Sequence, residues 1–262
     1  MLPAIDWTRP WFRLFAASAP VFQAGDLRDA LNARAAPLRN ARNLPLRFVP
    51  QAALPDGVAY ESHIDATGQV PTRDNLHDAF NALIWLHFPE TKRLLNRLQA
   101  EAIARDGVQP VRGGLRDAAT LFDENAVIFL SEDAGLADAL RGFDWRELFV
   151  ARRDAWHGVC AVMPFGHALL EKLAQPYKSA TAHAWWIRAC PATPAERLDE
   201  LLAASLAGAA EQGGLNGGRA FAPLPVMGIP GWCDENVDLS FYDDAGVFRP
   251  GRRVMTSTIA QG

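Results

Sequence analysis

Val70-Pro71-Thr72-Arg73-Asp74-Asn75-Leu76-His77-Asp78-Ala79-Phe80-Asn81-Ala82-Leu83-Ile84-Trp85 is the stretch on which the reading of the chain turns. From Asp74 its residues take helical spacing, and the helix continues to Phe88. Leu76, Phe80, Leu83 and His87 fall three or four apart and form a stripe expected to face a core. Asp74, His77, Asp78 and Asn81 are joined by the same spacings into a polar stripe beside it. Phe88-Pro89 breaks the run, because proline keeps the residue before it out of the α region. Pro89 then suits the start of a further helix, Glu90 to Asp106, closed by Gly107. A helix over 58–67, stopped by Gly68, precedes this pair.

Outward from this core the period changes. Ala118–Phe122 and Ala126–Leu130 are short apolar runs around Asp123-Glu124-Asn125, the pattern of two strands and a turn. Helices are expected at 132–142 and 144–157, the second with Asp144 as N-cap and Glu147 three residues on. Residues 159–165 read as a strand, His167–Ala174 as a helix, 180–189 as extended, and Pro194–Glu211 as a long helix. The glycines of 213–218 read as a loop. The expected fold class is α+β: a mainly helical single-core domain with a small antiparallel or mixed sheet. Residues 1–25 form an N-terminal aromatic arm, with Trp11 and Phe15 on one helical face. Residues 26–262 form the single α+β domain, ending in an irregular wrap rich in Pro, Gly and aromatics.

Composition narrows the function classes. A chain of 262 residues with 49% hydrophobic and 21% charged residues buries enough surface to fold without disulfides. A net charge of −4 speaks against a general nucleic-acid binder, since phosphate neutralisation supplies most of such affinity. A local basic patch is still available, because five arginines face two aspartates over 26–50. The three cysteines, Cys160, Cys190 and Cys233, form no C-x-x-C pair and read as reduced thiols. The start carries no secretory pattern, and no run approaches the roughly 18 apolar residues of a membrane span. A cytoplasmic location without membrane association is the expectation.

The opening stretch, with Phe88-Pro89 and Lys92 beyond it, resembles the bacterial domain-of-unknown-function family numbered 3025. Leu121-Phe122-Asp123-Glu124-Asn125, Phe165-Gly166-His167-Ala168-Leu169-Leu170-Glu171-Lys172 and Gly228-Ile229-Pro230-Gly231-Trp232 fit the same family. The resemblance covers most of the chain and implies one family domain. It implies no activity.

The chemistry must therefore come from the residues. The Asp74/His77/Asp78/Asn81 face suits a divalent metal or a carboxylate–histidine proton relay. Arg73, at the helix entrance, suits an anionic substrate group. Glu61, Asp123 and Glu124 are candidates to complete the site, and His167 and Glu171, spaced i,i+4, offer a second two-ligand face. Within this set Asp78, His77, Arg73 and Glu61 are the catalytic candidates. Asp74, His77, Asp78, Asn81, Asp123, Glu124, His167 and Glu171 are the metal candidates. Each has a structural counterpart: Asp74 can cap the helix, His77 can bond Asp74 or a carbonyl, and Asn81 can fix a loop. A weaker pattern, His63, Asn75-Leu76, Asn81 and Lys92, follows the order of a His-Asn-His nuclease core. No G-x-S-x-G elbow, phosphate loop or G-x-G-x-x-G is present.

Two classes of function stand. One is a metal-assisted hydrolase with one divalent metal, acting on a phosphate-containing substrate. The other is a non-enzymatic binding or assembly protein whose eight tryptophans and aromatic ends meet a protein partner.

Overall fold

The computed structural model describes residues 2–107 and 113–251. Its elements run α1 (Ala19–Phe22), α2 (Leu27–Ala35), β1 (Arg47–Pro50), α3 (Tyr60–Thr67), β2 (Gln69–Thr72), α4 (Leu76–His87), α5 (Pro89–Asp106), α6 (Gly114–Asn125), β3 (Ala126–Ser131), α7 (Ala134–Arg141), β4 (Cys160–Pro164), α8 (His167–Leu173), β5 (Thr181–Ile187), α9 (Ala195–Glu211) and β6 (Ala222–Pro225). The fold is α+β and mainly helical. β1 and β2 form a parallel pair, while the larger sheet, in the order β4-β3-β5-β6, is mixed. Among the described residues no helix is long and apolar enough to cross a membrane.

The apolar stripe of α4 does what its spacing demands. Phe80 and Leu83 are fully buried, with Ala79, Ile84 and Trp85 beside them. Trp11, Phe12 and Phe15 lie on a 3₁₀ helix, Pro10–Ser18, and join the same buried cluster; Phe12 stacks on Phe80 at 5.8 Å between ring centroids. Gly68 ends α3 at φ 72, in the left-handed region that the expected stop requires.

Three local readings need correction. Residues 114–125 are a helix, not half of a hairpin. Ala118, Ala119 and Phe122 recur at helical spacing and are buried, so packing overrides the turn-like composition of Asp123-Glu124-Asn125, which is the last turn of α6. The segment 144–157 is not one α-helix: Asp144 caps as expected, through Glu147 N–H at 3.0 Å, but a π turn (Glu147–Ala151) and a 3₁₀ turn (Arg153–His157) follow. The C-terminal wrap contributes a strand, β6, to the sheet edge; residues 252–262 lie outside the described residues.

The break at Pro89 is held by a distant carboxylate. Asp199 of α9, 2% exposed, accepts from Glu90 N–H (2.7 Å), Thr91 N–H (2.9 Å) and the Thr91 hydroxyl (2.6 Å). It caps α5 from another helix, where α5 has no side-chain cap of its own. Asp199→Ala orphans these donors, and the expected cost is about 2–3 kcal/mol in urea unfolding. A loss under about 1 kcal/mol would mean that water replaces the carboxylate.

Candidate metal centre

The site lies where α4, α6 and α8 meet. His77 stands in the first turn of α4 and Glu124 in the last turn of α6, while His167 is the first residue of α8. Gly166 brings α8 to this point. A Cβ there would come within 2.5 Å of Ala126 N and Asn125 Cα, so only glycine lets the start of α8 press against the end of α6.

Three ligand atoms converge. His77 Nε2 is 3.1 Å from His167 Nε2 and 3.9 Å from Glu124 Oε2, and His167 Nε2 is 3.4 Å from Glu124 Oε2. The two imidazoles meet edge to face, with centroids 4.5 Å apart. The outer nitrogens turn toward acids: His77 Nδ1 lies 3.0 Å from Glu171 Oε2, and His167 Nδ1 lies 3.8 Å from Asp123 Oδ2. His167 is 4% exposed, and this burial lowers its pKa to about 4, so the ring is neutral at physiological pH. Its buried Nδ1 has no hydrogen-bond partner of good geometry among the described residues. His77, Glu124 and His167 thus form a candidate metal-binding group.

A buried cation anchors the inner side. Lys92 Nζ donates to Asp123 Oδ1 (2.6 Å) and Asn81 Oδ1 (2.8 Å) and sits 5.3 Å over the Trp85 ring. Asn81 in turn donates to Tyr60 Oη at 3.0 Å. Burial raises the Asp123 pKa, but the charge of Lys92 and its hydrogen bond to the carboxylate oppose this, and the group is held below the usual value. Burial of Tyr60 pushes its pKa well up, so it stays a neutral phenol.

Beside the triad a cleft of ≈ 260 Å³ is lined by Tyr60, Glu61, Arg116, Thr120, Asp123 and Glu124, among others. Asn96 donates to the Glu61 carboxylate at 2.6 Å. Burial nevertheless raises the Glu61 pKa to about 7; Lys92 opposes the rise, and the charges of Asp123 and Glu124 add to it. Arg116 carries a buried Nε with no hydrogen-bond partner among the described residues.

The expected polar face of α4 is therefore divided. His77 reaches the triad, and Asn81 belongs to the Lys92 network. Asp78 is held by Arg73 through Nε and Nη2, both at 3.0 Å, which occupies the arginine expected to meet substrate. Asp74 pairs with Arg28 at 2.8 Å, and the helix cap is Asn75, accepting from Asp78 N–H at 2.8 Å. Glu171 backs His77, and Asp123 faces both Lys92 and His167. His63 lies within α3, not on a hairpin, so the His-Asn-His nuclease pattern has no counterpart. Cys160 is buried in β4, with its thiol pKa pushed by burial up to about 12, so it is no nucleophile. Tyr60, Asn96 and Arg116 entered no site reading of the sequence, and Lys92 entered only the nuclease pattern. The available signal was Lys92 on the same helix face as the buried Leu95 and Gln99, where a charge needs a partner.

A family model described as "Protein of unknown function (DUF3025)" matches residues 46–252. No curated protein matches the chain, and no solved structure does.

Proposed function

The chain belongs to the DUF3025 family of proteins of unknown function, and from that premise we propose a metal-assisted hydrolase whose divalent ion is held by His77, Glu124 and His167. The observation that carries the reading is the convergence of two Nε2 atoms and one carboxylate oxygen, at separations of 3.1, 3.4 and 3.9 Å. Ligands of a tetrahedral ion bound at about 2.0–2.1 Å stand roughly 3.3–3.4 Å apart. Two nitrogens and one oxygen suit zinc, and three protein ligands leave the open position of a catalytic site.

The tautomers support a cation. If His77 Nδ1–H donates to Glu171, its Nε2 presents a lone pair to His167. If His167 Nε2 carries the proton, the lone pair on its Nδ1 faces the Asp123 carboxylate. If Nδ1 carries it, two lone pairs meet at 3.1 Å. A cation shared by both Nε2 atoms and Glu124 resolves either conflict. Glu171 then acts as the outer carboxylate that orients a metal-bound imidazole.

A bound divalent ion lowers the pKa of a coordinated water toward neutrality. Glu61 lines the adjoining cleft, and its pKa near the working pH supports a role as general base. Arg116 offers its guanidinium to an anionic substrate group, which favours a phosphate-bearing substrate.

A thermal-shift titration of wild type and His77→Ala with EDTA, Mg²⁺, Mn²⁺, Zn²⁺ and Ni²⁺ tests the site. A metal-specific rise in wild type that the variant lacks supports it; equal responses in both sink it. For the reaction, turnover of a chromogenic phosphate ester by metal-loaded protein should rise with pH through about 7 as Glu61 loses its proton. Glu61→Gln should remove that limb and cost about 10²–10⁴-fold. A profile unchanged by the substitution would remove Glu61 from the reaction.

A further inference from the structure

A groove of ≈ 900 Å³ lies at the far edge of the large sheet, and the proposal drawn from it does not depend on the metal reading. β6 covers β5 only as far as the pair Ala184↔Ala222, whereas β3 pairs with β5 through Ile187. Among the described residues, Trp185, Trp186 and Ile187 therefore have a strand on one side only. Backbone groups alternate in direction along a strand, and the Ala180 carbonyl accepts from Val226 N–H on the β6 side, so Trp186 turns its own N–H and C=O to the uncovered edge. Chain bends away before β6 in a 3₁₀ turn, Gly217–Ala220, which leaves the gap.

The gap is walled on both faces. Successive strand residues point to opposite sides of a sheet. Trp185 bonds Ser205 of α9 through its indole N–H at 3.1 Å. Trp186 bonds the Ser131 carbonyl at 2.9 Å, and the Arg141 guanidinium at the end of α7 lies 4.9 Å from its ring. Both indoles are fixed yet only half-buried, and both border the groove. β6 carries Pro223 and Pro225 at alternate positions, a feature that blunts a strand edge, while Trp185–Ile187 carry no such guard.

Charge selects the occupant. Arg141, Arg188 and Arg219 border the groove, and among the described residues no acidic side chain lines it. Arg141 has a loose partner in Asp138 at 3.7 Å, while Arg188 and Arg219 have no ion-pair partner among the described residues. We infer that this edge binds an extended acidic peptide of a partner protein, which adds as a short strand beside Trp185–Ile187. Its carboxylates meet the three arginines, and its alternate side chains lie on the two indoles.

The probe is a dye-labelled, end-blocked Glu-Val-Asp-Val-Glu peptide, titrated into the full chain by fluorescence anisotropy. Saturable binding is expected, at least ~10-fold weaker for the Arg188→Glu/Arg219→Glu variant. Both arginines are exposed, so the variant should keep the wild-type melting temperature. Methylating alternate peptide amides should abolish binding, because strand addition needs those N–H groups. No binding, or binding indifferent to methylation or to the arginine reversals, overturns the inference. Exchange of the Trp186 amide that is already slow without peptide also overturns it, since the edge is then covered by the chain itself.

Discussion

Lys92→Ala is expected to cost about 3–5 kcal/mol, because it leaves the Asp123 carboxylate buried without its cation. Lys92 is 4% exposed and holds Asp123 at 2.6 Å and Asn81 at 2.8 Å, so its loss orphans two groups at once. Leaving one charge of a buried pair costs more than the pair was worth, because desolvation is no longer offset. Lys92→Met keeps the stem and should lose nearly as much. Lys92→Met with Asp123→Asn should recover much of the loss, since neither charge remains. Urea unfolding of the three variants measures this. A single-variant loss under about 1 kcal/mol would show that water reaches the pair and screens it.

The metal ligands and their supports should separate by degree. Substituting His77, His167 or Glu124 by alanine leaves two protein ligands and should abolish the metal-dependent rise in melting temperature. In wild type that rise corresponds to about 2.7 kcal/mol at a free metal concentration 100 times Kd. Glu171→Ala leaves all three converging atoms in place and removes only the partner of His77 Nδ1. It should weaken metal binding by about 10–100-fold without abolishing it. Equal effects from Glu171→Ala and His167→Ala would contradict the division between ligand and support. Because Glu171 and Glu124 are both partly exposed, Glu171→Ala and Glu124→Ala are not expected to unfold the protein.

Spacing made the two stripes of α4 legible before any coordinates. It assigned His77 and Asp78 to one face, and it set His167 and Glu171 on a second. What spacing cannot show is which polar side chain is already engaged. Asp78 is bound by the arginine five residues before it, and Asp74 by an arginine 46 residues away. The helix over 114–125 was illegible for a related reason. Its apolar runs are too short to display a period, and Asp-Glu-Asn carries the composition of a turn. Only burial of Ala118, Ala119 and Phe122 decides for helix, and that burial comes from elements distant in sequence. The same error hid the relation between Asp123 and Glu124. On a turn they are two loop acids. On the last turn of α6 one faces Lys92 and the other the histidines.

The placement of His167 at the first residue of α8 also sets a timetable. A chain made from its N-terminus presents His77 and Glu124 to the cell while His167, 90 residues beyond His77, is still unmade. Two ligands hold a metal poorly, and Gly166 cannot seat against Asn125 before it exists. If the proposed site holds a metal, loading is thus expected late in biosynthesis. Nascent chains released early would carry an incomplete site, unable to retain an ion or to compete for a scarce one.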